Sequence, residues 1–284
     1  MLASDASTRE AMADIRAALG EGRVHLRLTQ CQLVNVHSGE IHETEIAIRG
    51  RRIVAMRAEY DGEADQTIDC RNQYVIPGYI EPRFAVGRGF HRLAELPRLG
   101  VTSVVLQPDG ETGNAAGEHP GITPWLFQET RACMGGAAGA APVVRAVRGI
   151  QPDCVGQRSD DLIEAARNGQ SVIVDVPLDP LERRAILSVA GQLSRGTSSM
   201  IVRQFGSAGR GEGRSALADL MAVGLGAVEA VRMTSLNAAI HYGIDHEVGS
   251  IVPGRLADLL VYRRLTDERP AMVIVGGQVV TTIT

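Results

Sequence analysis

Short apolar runs with a period of two occur at both ends of the chain, and the segment between them follows a different pattern. The N-terminal runs are Cys31-Gln32-Leu33-Val34-Asn35-Val36, Glu45-Ile46-Ala47-Ile48, Arg52-Ile53-Val54-Ala55-Met56 and Thr67-Ile68-Asp69, with turns at Ser38-Gly39 and Gly50. Such alternation predicts strands joined as hairpins. At the other end, Gly249 to Val261 holds a Pro253-Gly254 turn and an apolar strand. Met272 to Val275, Gly276-Gly277 and Gln278 to Thr282 then read as a hairpin. Each set alone is small and leaves unpaired edges, so the two together predict one composite β-sandwich built from both chain ends.

Between these sets, apolar runs alternate with helical stretches. Strands are predicted at Val101 to Leu106, Pro142 to Val147, Ser171 to Val176 and Ser199 to Arg203, and helices at Asp161 to Asn168 and Leu181 to Leu193. Alternating β and α elements argue for a parallel sheet with helices outside it, an α/β fold. A complete eight-stranded β/α barrel takes about 250 residues, and only about 170 lie between the two β sets. A contracted or incomplete TIM-like barrel is therefore expected. Ahead of everything, Ser7-Thr8-Arg9-Glu10 reads as a capping box, with Met12, Ile15 and Leu19 as a helical stripe packed against the next domain and Gly20 and Gly22 as the stop. The predicted organisation is a helix over 1–22, the composite β domain over 23–74 and 248–284, and the barrel over 75–247.

Composition narrows the classes of function. With 284 residues and 44% hydrophobic content the chain can bury a large core. A net charge of -4 without a basic patch argues against nucleic acid as a partner. No run reaches the roughly 18 apolar residues of a membrane span, and Met1 to Glu21 lacks the apolar centre of a signal peptide, so a cytoplasmic protein without membrane contact is expected. All 29 Lys+Arg residues are arginine. A Schiff base on lysine and a P-loop are thereby excluded from this chain. Cys31, Cys70, Cys133 and Cys154 form no C-x-x-C pair and read as buried free thiols.

The stretch Val75-Ile76-Pro77-Gly78-Tyr79-Ile80-Glu81-Pro82-Arg83-Phe84 resembles the signature strand of the amidohydrolase superfamily, apolar-apolar-Pro-Gly-Phe-Ile-Asp-x-His-x-His. The resemblance extends to both ends and is closest to adenine deaminases, at Leu33-Val34-Asn35-Val36-His37-Ser38-Gly39-Glu40-Ile41, at Ala230 to Ala239 and at Gly249 to Asp258. It implies a metal-dependent hydrolase fold, in which two histidines spaced by two on one strand share a face and hold a metal ion. Here Pro82 and Phe84 stand in those places and Glu81 stands at the aspartate. The family's Asp-Pro-His after the second strand is Gln107-Pro108-Asp109. The aspartate pair after the last strand is Arg203-Gln204-Phe205-Gly206, and a cation there repels a metal. A lysine-bridged binuclear centre also has no lysine to use.

No metal and no cofactor is therefore expected, and no catalytic residue is assigned. The seven histidines form neither an H-x-H nor an H-x-x-x-H. Sites in parallel β/α folds lie at strand C-termini. The candidate pocket is accordingly Glu81, Arg83, Gln107, Asp109, Arg148, Asp175, Arg203 and Gln204, a set able to bind a polar or anionic ligand or to pair internally. The Gly-rich loop Gly206 to Arg214 before a helix at Ser215 to Val223 matches no phosphate fingerprint. The expected function is a degenerate adenine-deaminase-like protein lacking the metal centre, a non-catalytic subunit or ligand-binding partner. Open edges of a shortened barrel call for a homo-oligomer or a complex with a full-length homologue. The alternative is an active metal-independent hydrolase or deaminase on a purine-like or cyclic amide or amidine substrate, with Glu81, Asp109 or Asp175 as acid and base.

Overall fold

The computed structural model describes residues 2–85, 96–107, 123–126, 154–155, 172–175, 200–203 and 215–282. Helix α1 (Leu2–Leu19) comes first. It starts well before the capping box at Ser7, which lies inside it, because Leu2, Ala3 and Ala6 favour helix as strongly as the residues that follow. Gly20 ends it at φ +82°, a left-handed conformation natural to glycine at a helix C-terminus. The stripe expected to face the next domain faces solvent instead: Met12, Ile15 and Leu19 are 50%, 53% and 56% exposed. What α1 buries is Ala17, whose carbonyl accepts from the Tyr60 hydroxyl at 2.5 Å, while Asp14 pairs with Arg49. The small alanine side lets the helix axis come close to the sheet, and these polar ties fix its rotation.

The N-terminal strands are β1 (Val24–Asn35), β2 (Glu40–Arg49), β3 (Arg52–Arg57), β4 (Ala64–Asp69) and β5 (Tyr74–Pro77). Three later strands, β12 (Leu259–Tyr262), β13 (Met272–Val275) and β14 (Gln278–Thr282), join them. All eight form a single hydrogen-bonded sheet in the order β14-β13-β12-β5-β1-β2-β3, with β4 also beside β1. Strand β1 makes this possible. Its first half pairs in parallel with β4, and its second half, at Gln32 and Leu33, pairs with Tyr74 and Val75 of β5. Between the halves Gln30 takes φ +54° and the register with β2 shifts, so one strand serves two neighbours along one edge.

The two chain ends meet where β5 runs antiparallel to β12, Pro77 opposite Leu259 and Tyr74 opposite Tyr262. Alternation sends Val75, Leu259, Val261 and Ile274 into one apolar cluster with Leu26, Leu28, Leu33 and Ile46. It sends Ile76, Leu260, Tyr262 and Val273 to the other side. Both faces are thus covered, which is why these strands are apolar throughout rather than at every second position.

After β5 the chain crosses at Gly78 into a second layer. Strands β6 (Tyr79–Ala85), β7 (Val101–Gln107) and β8 (Thr123–Leu126) are parallel, as are β9 (Cys154–Val155), β10 (Val172–Asp175) and β11 (Met200–Arg203). A single helical turn, Leu96–Leu99, leads into β7, and β11 lies beside β6. The predicted strands at 101–106, 171–176 and 199–203 correspond to β7, β10 and β11. Strands β8 and β9 were not expected. The predicted strand at 142–147 and the helices at 161–168 and 181–193 fall outside the described residues. Helices α2 (Ala216–Ala222), α3 (Ala227–Thr234) and α4 (Leu236–His241) then pack across these strands.

The layers share one core. Ile76, Leu260, Tyr262 and Val273 of the composite sheet pack with Tyr79, Val101, Val104, Val172 and Val202 of the parallel strands and with Leu217, Leu220 and Val231 of the helices. Gly78 sits where they touch. Its N–H donates to the Asp258 carbonyl at 2.9 Å, and a Cβ there would lie 2.0 Å from Thr102 Oγ1. Among the described residues no helix is long and apolar enough to cross a membrane. Because Leu260 is fully buried at the shared core, Leu260→Ala is expected to destabilise the chain by roughly 2–5 kcal/mol, the range for deleting a buried leucine side chain. Urea unfolding monitored by circular dichroism checks this, with the exposed Ile15→Ala as the control expected to shift stability by under about 0.5 kcal/mol.

Candidate functional site

Three of the proposed pocket residues lie at the C-terminal ends of parallel strands. Gln107 closes β7, Asp175 closes β10 and Arg203 closes β11. Asp175 and Arg203 are direct register partners, and Gln107 is the partner of Ala85 at the end of β6. Strand β11 also lies beside β6, while β6-β7-β8 and β9-β10-β11 are two separate hydrogen-bonded sheets among the described residues. Asp109, Arg148 and Gln204 lie outside the described residues.

Glu81 is not at a strand end. Strand β6 continues to Ala85, so Glu81 is an interior residue of the strand, opposite Val104 and only 1% exposed. The signature motif alone puts Glu81 at the strand end, whereas the strand runs on to Ala85. Arg83 likewise lies within β6. The register between β6 and β7 slips from Glu81↔Val104 to Phe84↔Leu106, three residues against two. Pro82 accounts for the slip: it has no N–H to give to the ladder, and proline in an inner strand is tolerated at a bulge.

A polar cluster at the opposite ends of these strands escaped the sequence reading. Asp258, just before β12, is buried, and its Oδ1 accepts from the Gly276 N–H at 2.7 Å while Oδ2 accepts from Ser103 Oγ at 3.4 Å. Burial pushes its carboxyl up to about 6, against the opposing hydrogen bonds from Gly276 and Ser103 and the charge of Arg51. This carboxylate links the β13–β14 turn, β7 and, through its backbone carbonyl, Gly78. The available signal was an acidic residue in an apolar run, Leu256-Ala257-Asp258-Leu259-Leu260, where an unpaired charge is costly. Next to it, the Tyr79 hydroxyl lies 2.9 Å from that of Tyr262 and 3.3 Å from Ser215 Oγ. Burial pushes the Tyr79 phenol up to about 12. Ser215 therefore begins α2 without capping it through its side chain; its hydroxyl serves the tyrosines.

Cys31 and Cys70, distant in sequence, are adjacent in space and both buried. The thiol hydrogen bond between them, with burial second, raises Cys31. Among the described residues no three His, Cys, Asp or Glu side chains are grouped so as to hold a metal ion.

The family model for the amidohydrolase family matches residues 182–280. Adenine deaminase 4 of Rhizobium meliloti (strain 1021) is 25% identical in an alignment covering 94% of this chain and 59% of that protein. The chain is a relative of the amidohydrolases. An adenine deaminase of Listeria welshimeri is 35% identical over 109 residues, 36% of this chain and 18% of its own length. The chain thus spans 59% of the length of the Rhizobium deaminase. Among solved structures, a β-aspartyl dipeptidase from Fervidobacterium islandicum superposes with a TM-score of 0.63 at 12% identity, over 90% of this chain and 96% of that one. An adenine deaminase gives 0.58 at 16% identity, over 90% and 99%. These likenesses establish the shared α/β fold.

The metal centre implied by the family does not fit the residues of β6 and β11. Within β6, Pro82 and Phe84 offer no lone pair to a cation, the bulge at Pro82 displaces the two-residue spacing that two ligands need, and β11 ends in a guanidinium.

The titration of Asp258 has a defined sign. Its folded pKa lies above the ordinary carboxylate value, so the folded chain holds the proton more tightly than the unfolded one. That contribution is complete below about pH 4 and is lost as pH rises through about 6. Asp258→Asn is expected to flatten the fall in unfolding free energy between pH 4 and 7 by roughly 2–3 kcal/mol. Urea titrations at a series of pH values check it.

Proposed function

We propose that this chain is a cytoplasmic, adenine-deaminase-like amidohydrolase relative that has given up the metal centre and serves as a non-catalytic subunit or a binder of a small polar ligand. The observation that carries the reading is β6. At the strand where the family places a pair of metal-binding histidines, this chain has a proline-induced bulge flanked by a buried glutamate and a phenylalanine. Metal activation of water contributes several kcal/mol to lowering a hydrolytic barrier, and a site that cannot hold the ion forgoes it. Of the candidate pocket residues, Asp175 and Arg203 are register partners at the ends of β10 and β11 and Gln107 closes β7, residue types suited to a polar ligand.

A contracted barrel on a composite β domain fits the same reading. The alignment with the Rhizobium deaminase is 358 positions long, against 284 residues in this chain, so the matched span of the deaminase contains segments that this chain lacks. A barrel shortened in this way leaves strand edges to cover. We place a second copy, or a full-length amidohydrolase homologue, against them. Exposed apolar side chains on α1 and β14, Met12, Ile15, Leu19, Val279 and Val280, are consistent with a partner.

Elemental analysis of the purified protein alongside an ammonia-release assay with adenine tests this. The expected result is far less than one equivalent of zinc, iron or manganese and no ammonia above background. Stoichiometric metal together with adenine turnover overturns it. Light scattering in line with gel filtration is expected to show a species larger than one chain, alone or after mixing with a full-length homologue.

A further inference from the structure

Strand β1 changes the set of residues that it buries part-way along. Leu26 and Leu28 enter one apolar cluster, and so do Cys31 and Leu33, although alternation continued from Leu28 puts Gln30 there. Gln30 is the extra residue: it takes the left-handed region at φ +54°, where the register with β2 also slips. Strand β4 runs parallel beside this stretch, with Thr29 opposite Asp69, and sends Ile68 and Cys70 into the same cluster. One further step along the ladder sets Cys70 against the bulge. There Cys31 holds the place on the shared face that Gln30 vacates.

The two cysteines converge on one atom. The Thr29 carbonyl oxygen accepts the Cys70 N–H at 2.9 Å and the Cys31 thiol at 3.8 Å. Neighbouring strands lie about 4.8 Å apart, so two cysteines facing the same way across them fall within the Cα separation of roughly 4.4–6.8 Å that a disulfide spans. Both side chains are wholly buried, but Cys70 is thinly covered. It follows β4, whose side chains are largely exposed and which pairs with β1 alone among the described residues. On either side of it, Asp69 and Arg71 are 56% and 65% exposed. Two residues on, Asn72 takes φ +60°; it and Gln30 are the two non-glycine residues of positive φ among the described residues, so both strained backbone positions flank the thiol pair.

We propose that Cys31 and Cys70 are a peroxide-sensitive pair that closes to a reversible disulfide, tying the end of β4 to the bulge of β1. Cys70 is the thiol that reacts first. The hydrogen bond from Cys31 lowers Cys70 below its ordinary value, against burial and the charge of Asp69. The same bond, with burial second, keeps Cys31 protonated. The Cys70 thiolate attacks hydrogen peroxide: an S–O bond forms, the O–O bond breaks, and the hydroxide that leaves takes up the proton Cys70 released. Cys31 then attacks the sulfenic sulfur; the S–S bond forms, the S–O bond breaks, and water leaves with the Cys31 proton. Two thiols are oxidised and one peroxide is reduced to two waters. Peroxide is little larger than water, and opening of the turn at 69–73 admits it without unfolding the sheet. The disulfide closes residues 31–70 into a covalent loop that contains β2, β3 and β4. The pair stands independently of the reading of the metal-free barrel, because neither cysteine lies in the parallel layer.

The full chain, treated with hydrogen peroxide under native conditions, alkylated and digested with trypsin, is expected to yield residues 28–49 linked to residues 58–71, a product that dithiothreitol removes. Oxidation is expected to raise the midpoint of thermal unfolding by roughly 5 °C or more, reversibly, because the bond restricts the unfolded chain. Cys31→Ser leaves Cys70 without a thiol to resolve it, and dimedone is expected to trap a sulfenic acid at Cys70. In Cys70→Ser no such adduct at Cys31 is expected. The double variant Cys133→Ser, Cys154→Ser keeps the pair intact and is expected to give the same linked peptides, so the test stands even where a substitution in the core prevents folding. The half-exposed Met12 reports, as its sulfoxide, that peroxide has acted. Linked peptides absent from a native chain whose Met12 is oxidised, formed only in urea, or replaced by pairing of Cys31 or Cys70 with another cysteine, overturn the proposal.

Discussion

The antiparallel ladder between β5 and β12 holds this molecule together. Without it, the N-terminal strands and the C-terminal hairpin are two separate sheets with open edges; with it, they are one sheet from β14 to β3. The pairing brings residues nearly two hundred positions apart into register, an entropic cost that local hydrogen bonds alone do not offset. Burial on both faces does. Val75 and Leu259 enter one cluster while Ile76 and Leu260 enter the other, so each step along the ladder removes apolar surface from water in two directions. Gly78 and Asp258 then fix how the parallel strands leave this sheet, the first by letting Thr102 come close, the second by tying the β13–β14 turn and β7 to one buried carboxyl.

That junction also explains the double character of the stretch from Val75 to Phe84. Its first part is a strand of the composite sheet and its second part is the first strand of the parallel layer, with Gly78 as the crossing point. The approach residues are therefore constrained by two cores at once. The residues after Ile80 answer to the parallel layer alone, and it is there that Pro82 and Phe84 occur. A proline inside β6 is tolerated because a bulge absorbs the missing donor, and the same bulge changes which residues reach the rim.

Much of the architecture was legible because period-two alternation is a strong signal when one strand face differs from the other. The strands of both chain ends, β7, β10 and β11 are visible in this way, but the two ends form one hydrogen-bonded sheet where their patterns predict a sandwich. Strands β8 and β9 are not visible, for physical reasons: Thr123-Pro124-Trp125-Leu126 contains a proline that argues against a strand, and Cys154-Val155 is too short to show a period. The apolar stripe of α1 predicts that its large side chains face inward, and Met12, Ile15 and Leu19 do not. Alanine does so here, since close approach of the helix to β2 and β3 needs a small side chain, and Asp14 and the Ala17 carbonyl supply the polar ties. Within the candidate site, strand ends were identified from topology, but Glu81 was assigned to the rim by counting from a motif. No sequence count reveals a bulge or the depth at which a glutamate sits.

The division between what is kept and what is changed bears on how similarity should be interpreted. The segments shared with adenine deaminases, Leu33 to Ile41, Ala230 to Ala239 and Gly249 to Asp258, supply β1 and its turn, two helices against the parallel strands, and the clamp around Asp258. Each does structural work that any chain with this closure must do. Resemblance there follows from the geometry of joining both ends in one sheet, and it carries no information about chemistry at the far rim. The fold depends on the junction, whereas metal chemistry depends on the rim, and a substitution at one leaves the other free to persist.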